Sequence, residues 1–282
     1  MATFRAMNTE VEVLDMPEAP VEALFLDWHR CLSRFDQASE LSALNRSAGR
    51  WFEASPLLCD VAARALHWAA QTELFDPTIV DALERAGYDR SFELVVNHPR
   101  GGRLAVAPRL PGWRGIRLEA GRILLPEGVR LDLGGIAKGT AVDAALVPHP
   151  EGMVNAGGDL YAKGREYIVG VEDPYHTNRD ICSLRVCNRG VATSSTWKRR
   201  WSAGAHHLID PRTGAPSQTD VLSATVVAAS AEEAEVGAKV ALLRGLTAGR
   251  EWLERRGLAG LLVGREGTLL ASEGFEAYVA AG

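Results

Sequence analysis

Three short stretches of this chain carry residue types that could do chemistry. The first is DLGGIAKG at 132–139, where two glycines let backbone amides approach an anion and Lys138 supplies positive charge. Phosphate-cradling loops use the same physics. The spacing is neither G-x-x-x-x-G-K-[ST] nor G-x-G-x-x-G, so a glycine turn with an exposed lysine is the competing account. Asp132 is the odder residue, because an acid inside a strand is disfavoured unless it is solvated or paired. The second stretch, NAGGD at 155–159, is a glycine-permitted turn that ends in Asp159. The third, AHHLIDPRTG at 205–214, crowds His206, His207 and Asp210 ahead of a tight turn marked by Pro211 and Gly214. Adjacent side chains on an extended strand face opposite sides, so at most one of these histidines serves a given site. A buried, hydrogen-bonded histidine beside a solvated one is the plain alternative. A zinc site would need a third ligand, and no spaced His or Cys motif offers one.

Near the C-terminal end Glu235 and Lys239 lie four apart, acid first. Spacing alone reads as an exposed helical ion pair worth roughly 0.2–0.5 kcal/mol.

The elements around these residues follow from periodicity. Residues 4–14 alternate at Met7, Val11 and Val13 and read as one strand, ended by Asp15, Pro17 and Pro20. Val21, Leu24, Phe25, Trp28, Cys31, Leu32 and Phe35 recur at helical spacing, which predicts a helix over 21–35. Ser55 as N-cap and Pro56 at the first helical position open a second helix that runs to about Thr72. Residues 88–128 carry Pro99, Pro108, Pro111 and Pro126 among short apolar runs and read as short strands and turns. Val129, Leu131 and Leu133 alternate as a strand into the glycine loop, and helical spacing resumes over 140–146. Strands are expected at 167–171 and 221–228. Ser230 then caps a helix over 231–243, with Glu233 at the capping-box position.

No linker or repeat divides the chain, which points to one α+β domain over 1–282, with a mixed or antiparallel sheet and packed helices. Its 282 residues can bury a large core, and 46% hydrophobic against 24% charged residues is an ordinary globular balance. A net charge of −5 excludes the basic footprint of a nucleic-acid binder. Cys31, Cys59, Cys182 and Cys187 do not follow zinc spacing and read as reduced thiols. No signal-peptide pattern or bilayer-spanning run is found, so no membrane anchor and a cytoplasmic location are expected.

Taken in order, FRAMNTEVEV, SRFDQASELSALN, ELFDPT, VRLDLGGIAKGTAVDAA, MVNAGGDLYAKG, VGVEDP, VATSSTWKR and HHLIDPRTGAP resemble the ApbE family of flavin transferases. The resemblance runs from Phe4 along nearly the whole chain. It implies an enzyme that uses FAD to attach FMN to a threonine or serine of an acceptor protein, releasing AMP. Retention of FAD without catalysis, through a degenerate metal site, and hydrolysis of FAD to FMN and AMP stay open beside it. By the same resemblance Met7, Phe35, Leu74, Phe75, Asp76, Asp132, Lys138 and Leu208 contact FAD, joined by Asp159 and Thr193, and His207 is the base. Phosphoryl transfer rests on positioning and charge neutralisation, and a histidine with an ordinary pKa near ~6.5 can take the hydroxyl proton.

The family's Mg²⁺ positions match the carbonyl of Gly135, Glu235 and Lys239, where relatives have an aspartate and a threonine at the last two. A protonated lysine has no lone pair to offer a hard cation. The expectation is that the Lys239 ammonium fills part of that space and pairs with Glu235 or with the FAD diphosphate. Asn8 and Ser195 stand where the family's motifs carry glycine.

Overall fold

The structure is a computed structural model that describes residues 1–97, 112–176, 178–202 and 204–280. The chain forms two compact units. One takes residues 1–24, 138–198 and 219–282, and the other takes 25–137 and 199–218.

The first unit is built on an eight-stranded sheet. Its strands are β1 (Ala2–Ala6), β2 (Thr9–Leu14), β3 (Gly152–Ala156), β4 (Asp159–Lys163), β5 (Arg189–Ser195), β6 (Val221–Ala228), β7 (Ala259–Gly264) and β8 (Leu269–Ala271). Spatial order follows chain order, and each neighbouring pair is antiparallel. The alternatives of mixed or antiparallel sheet thus resolve to antiparallel.

Residues 4–14 are not one strand. Ala6 pairs with Thr9, and the two-residue loop between them holds Met7 at φ 50 and Asn8 at φ 58. Two central residues at positive φ make a hairpin turn whose twist matches its strands. The trace was in the sequence: buried positions are even at Phe4 and Ala6 and odd at Val11 and Val13. A continuous strand keeps one parity. Asparagine tolerates the left-handed region, which suits Asn8 to this turn. The NAGGD stretch repeats the device, with Gly157 at φ 67 and Gly158 at φ 96 between paired Ala156 and Asp159.

Helix α1 (Glu18–Leu32) begins one turn earlier and ends three residues sooner than its apolar spacing predicts, leaving Phe35 outside it. Helix α2 (Pro56–Thr72) matches its expected bounds; Ser55 Oγ accepts from the Leu58 amide at 3.2 Å, and Pro56 sits in the first turn. Helix α3 (Ala137–Leu146) starts inside the glycine loop, three residues before the apolar spacing becomes visible. Helix α4 (Ala231–Arg244) is capped by Ser230, whose Oγ accepts from the Glu233 amide at 3.1 Å. It packs on β5 and β6. Ala234, Val236, Ala238, Val240 and Ala241 are fully buried, and so is Glu235, so the helix is enclosed on most of its circumference and its charges must find partners within the protein.

In the second unit a cluster of Ala82, Leu83, Tyr88, Val95, Trp201 and Ile209 forms a core against which Phe35 packs. Residues 129–133 bury Val129, Leu131 and Leu133 in alternation as expected, but they are not a strand. The Leu131 amide donates to Asn45 Oδ1 at 2.7 Å, and Asn45 Nδ2 returns a bond to the Leu131 carbonyl at 2.9 Å. A side-chain amide thus satisfies the backbone groups that a neighbouring strand would have taken. Between 88 and 128 the structure has a helix at Phe92–Asn97, which was not expected, and a strand pair at Arg117–Glu119 and Arg122–Leu124. Pro99, Pro108 and Pro111 lie outside the described residues. All four cysteines are free thiols, and no helix of the described residues is long and apolar enough to cross a membrane.

Candidate functional site

In the first unit four charged side chains meet. Lys138 is not on an exposed loop; it lies in the first turn of α3 and is 9% exposed. A cation at a helix N-terminus opposes the helix dipole and needs acidic partners. Lys138 Nζ finds two, bonding Glu235 Oε1 at 2.8 Å and Asp159 Oδ2. Glu235, fully buried on α4, also receives Lys239 Nζ on Oε1 at 3.0 Å and the Gly139 amide on Oε2 at 2.8 Å. The ion pair of Glu235 with Lys239 is therefore an interior one, not the exposed pair its spacing suggests.

Glu235 does more than pair charges. The Gly139 amide is one of the first-turn donors of α3 that lack an intrahelical acceptor, so a carboxylate from α4 caps α3. Asp143 of α3 returns the favour, its two oxygens accepting from the Ala231 and Glu232 amides at 2.8 and 3.0 Å in the first turn of α4. Thr140 Oγ1 donates to Glu232 at 3.0 Å. The helices approach so closely that a Cβ on Gly139 would stand 2.7 Å from the Ala231 carbonyl oxygen.

The electrostatics follow from this geometry. Burial by itself would raise the Glu235 carboxyl, but the Lys138 and Lys239 charges and the bonds from Lys138 and Gly139 outweigh it and hold it down to about 2. Asp159 moves the other way, raised by burial and then by the Glu235 charge, with Lys138 and Lys239 opposing. Burial also lowers Lys239 from the ordinary lysine range, with Glu235 pulling it back. Two acids and two bases balance, and Glu235 holds the larger share of the donors.

In the second unit Asp132 is tied down by Arg34, whose Nε stands 2.8 Å from Oδ2, and by the Gly134 amide at 2.7 Å on Oδ1. The same guanidinium lies 4.0 Å over the Phe35 ring and 4.8 Å over Tyr88, and its Nη2 donates to the Tyr88 carbonyl at 2.9 Å. Tyr88 in turn stacks on Trp201, with centroids 5.3 Å apart. The Asp132 amide donates to the Pro77 carbonyl at 2.8 Å, which sets the FDP turn beside it. Leu74 and Phe75 are buried there, and Asp76 Oδ1 accepts from the Thr78 amide and hydroxyl at 2.7 and 2.6 Å.

The two histidines divide as their alternation implies. His206 is buried, with Nε2 at 3.0 Å from the Ser217 carbonyl, while His207 is half-buried. Leu208 is buried beside them. Ala205 and Ile209 at either end of the segment pack in the same cluster as Tyr88 and Trp201, so one unit gathers Phe35, the FDP turn, Asp132 and the histidine segment. Gly134 and Gly135 form the turn before α3.

Of the remaining positions, Met7 is half-buried in the hairpin turn. Thr193, on β5, shares a hydroxyl bond of 2.8 Å with Thr225. Ser195 ends β5 in a regular pairing with Ser223. Sequence reasoning missed Arg34 and Asp143. An arginine directly before Phe35 was visible, but its partner lies 98 positions on, and the partners of Asp143 lie 88 and 89 positions on.

A divalent ion does not fit this donor set. Both Glu235 oxygens already accept from cations or an amide, and Lys239 offers an ammonium where an oxygen is wanted. Among the described residues no three His, Cys, Asp or Glu side chains gather as a metal site.

The sequence profile of the ApbE family matches residues 6–262. The FAD:protein FMN transferase of Treponema pallidum is 30% identical over 247 residues, an alignment that covers 73% of this chain and 65% of that protein. The chain thus spans just under two thirds of that relative's length. The FAD:protein FMN transferase of Salmonella typhimurium is 26% identical over 275 residues, covering 90% of this chain and 76% of the relative. The crystal structure of the ApbE protein from Thermotoga maritima superposes with a TM-score of 0.83 at 24% identity over 99% of both chains. The apo flavinyl transferase ApbE of Pseudomonas stutzeri gives 0.82 at 22%, over 100% of this chain and 96% of that one. At such identities the structural likeness speaks for the fold, α+β, and the profile for descent. The chain belongs to the ApbE family.

Proposed function

We propose that this chain transfers the FMN half of FAD to a threonine or serine hydroxyl of an acceptor protein and releases AMP. One observation carries the reading: a relative named for that activity aligns along 90% of the chain. In this reading residues 1–282 act as one transferase unit. The acceptor hydroxyl attacks the FMN-side phosphorus, the bond from that phosphorus to the bridging oxygen breaks, and AMP departs with that oxygen. His207 takes the hydroxyl proton. Met7, Phe35, Leu74, Phe75, Asp76, Asp132, Lys138, Asp159, Thr193 and Leu208 serve as the contacts to FAD, and no step is routed through a metal ion. Catalysis then rests on positioning and on fixed protein charge. A cytoplasmic location agrees with four free cysteines.

A second reading is retention of FAD without transfer. The bond from Lys239 to Glu235 favours it, because an ammonium lacks the several coordination sites of a metal ion. Incubation with FAD and a threonine-bearing acceptor separates the readings. Transfer gives AMP and a covalently fluorescent acceptor in equal amounts. AMP without labelled acceptor means hydrolysis, and bound FAD with neither product means retention.

A further inference from the structure

The described residues present a positive charge at the Glu235 carboxylate that the chain itself provides. Lys239 is on α4, one turn beyond Glu235, with its side chain 16% exposed. Its ammonium has three protons; it donates to Glu235 Oε1 at 3.0 Å and toward the Glu235 main-chain oxygen at 3.4 Å. Lys138 Nζ bonds the same Oε1, and the Gly139 amide takes Oε2. These donors take three of the roughly four lone-pair sites of the carboxylate, so a hard cation on what remains of Oε2 would sit against two positive charges. Like charges held this close repel each other strongly unless bulk water lies between them.

We infer that the Lys239 ammonium is the resident cation of this site, that it keeps divalent metal off Glu235, and that its third proton faces a phosphate-type anion. The last part rests on the proposed function; the first two do not. A neutral residue at 239 opens a divalent-metal site, whereas an arginine keeps it closed. Diphosphate binding by the unaltered chain needs no metal.

Mn²⁺ binding, read by electron paramagnetic resonance on the nucleotide-free protein, tests the exclusion without reference to activity. Wild type and Lys239→Arg are expected to leave Mn²⁺ free at millimolar concentrations of protein and metal, while Lys239→Thr binds it at least about 100-fold more tightly, a lower bound for removing one nearby unit charge. Lys239→Gln, close to lysine in length, serves if the threonine variant fails to fold. Equal Mn²⁺ affinity in wild type and the neutral variants overturns the assignment. FAD fluorescence titrations of wild type in EDTA and in excess Mg²⁺ test the anion part, and the two affinities should agree within about twofold. A strong dependence on Mg²⁺ overturns it. If FAD binds in neither condition, the proposed function falls, and the Mn²⁺ comparison still decides what occupies Glu235.

Discussion

Lys138 donates to Glu235 across 2.8 Å, joining the first turn of α3 to a residue 97 positions away on α4. The bond lies inside a reciprocal arrangement in which Glu235 caps α3 and Asp143 caps α4. A pair of short-range helix signals has become one structural unit. The charges are therefore part of what holds the two helices together, as well as a candidate site.

Removing one partner should expose how much the fold depends on it. Lys138→Met leaves Asp159 without its bonded cation and Glu235 with Lys239 alone, both in the interior. A loss of about 3–5 kcal/mol in denaturant unfolding is expected, the usual cost of stranding a buried charge. Lys138→Met combined with Asp159→Asn should recover part of it. A change under about 0.5 kcal/mol would mean that the quartet is as dispensable as surface ion pairs are.

Close helix contact gives a second test. On Gly139 a Cβ meets the Ala231 carbonyl oxygen at 2.7 Å and the Glu232 Cα at 2.8 Å, backbone atoms that cannot swing aside. Gly139→Ala should destabilise by roughly 1–3 kcal/mol as the helices are forced apart, despite the better helix propensity of alanine. Thermal unfolding that matches or exceeds wild type would contradict the approach of α3 to α4.

The pH dependence of stability has a definite sign. Glu235 titrates lower in the folded chain, at about 2, than in an unfolded one near ~4.3, so its contribution is complete above the unfolded value and is lost as pH falls toward the folded one. Asp159, shifted upward, works in the opposite sense over the acid range. Comparing wild type with Glu235→Gln isolates the first effect: wild type should lose stability more steeply between about pH 4 and 2. Parallel curves for the two proteins would refute the linkage.

In the proposed reaction, substitution of His207 separates binding from chemistry. His207→Ala should lower transfer by roughly 10²–10⁴ while FAD affinity stays within a few fold, as for a positioned base. If affinity falls as far as the rate, His207 holds the ligand and the base lies elsewhere. An unaltered rate removes it from both roles.

Much of the local structure was legible. Ser55 with Pro56, and Ser230 with Glu233, marked helix starts that the structure keeps, because a cap is settled by neighbours in sequence. The strand at Val221–Ala228 was read to the residue from its apolar run. The hairpin at Met7 and Asn8 was missed because Met7 is not a usual turn former and no glycine follows Asn8, although the parity of the buried positions changes across it. The stretch at 129–133 was misread for a different reason. Alternation reports which side chains are buried, whereas a strand is defined by where its backbone bonds go, and here they go to Asn45 and Pro77.

The sequence by itself determined the α+β class, the order of motifs and the residue types available for chemistry, because composition, periodicity and family signatures are all local or ordered along the chain. Burial and partners were decided by the tertiary structure alone. Lys138 looked exposed and Glu235 with Lys239 looked like a surface pair, yet all three share an interior charge balance with Asp159. Residues 97 positions apart carry no local record of meeting, and the energy of a charge depends on the groups that replace its water.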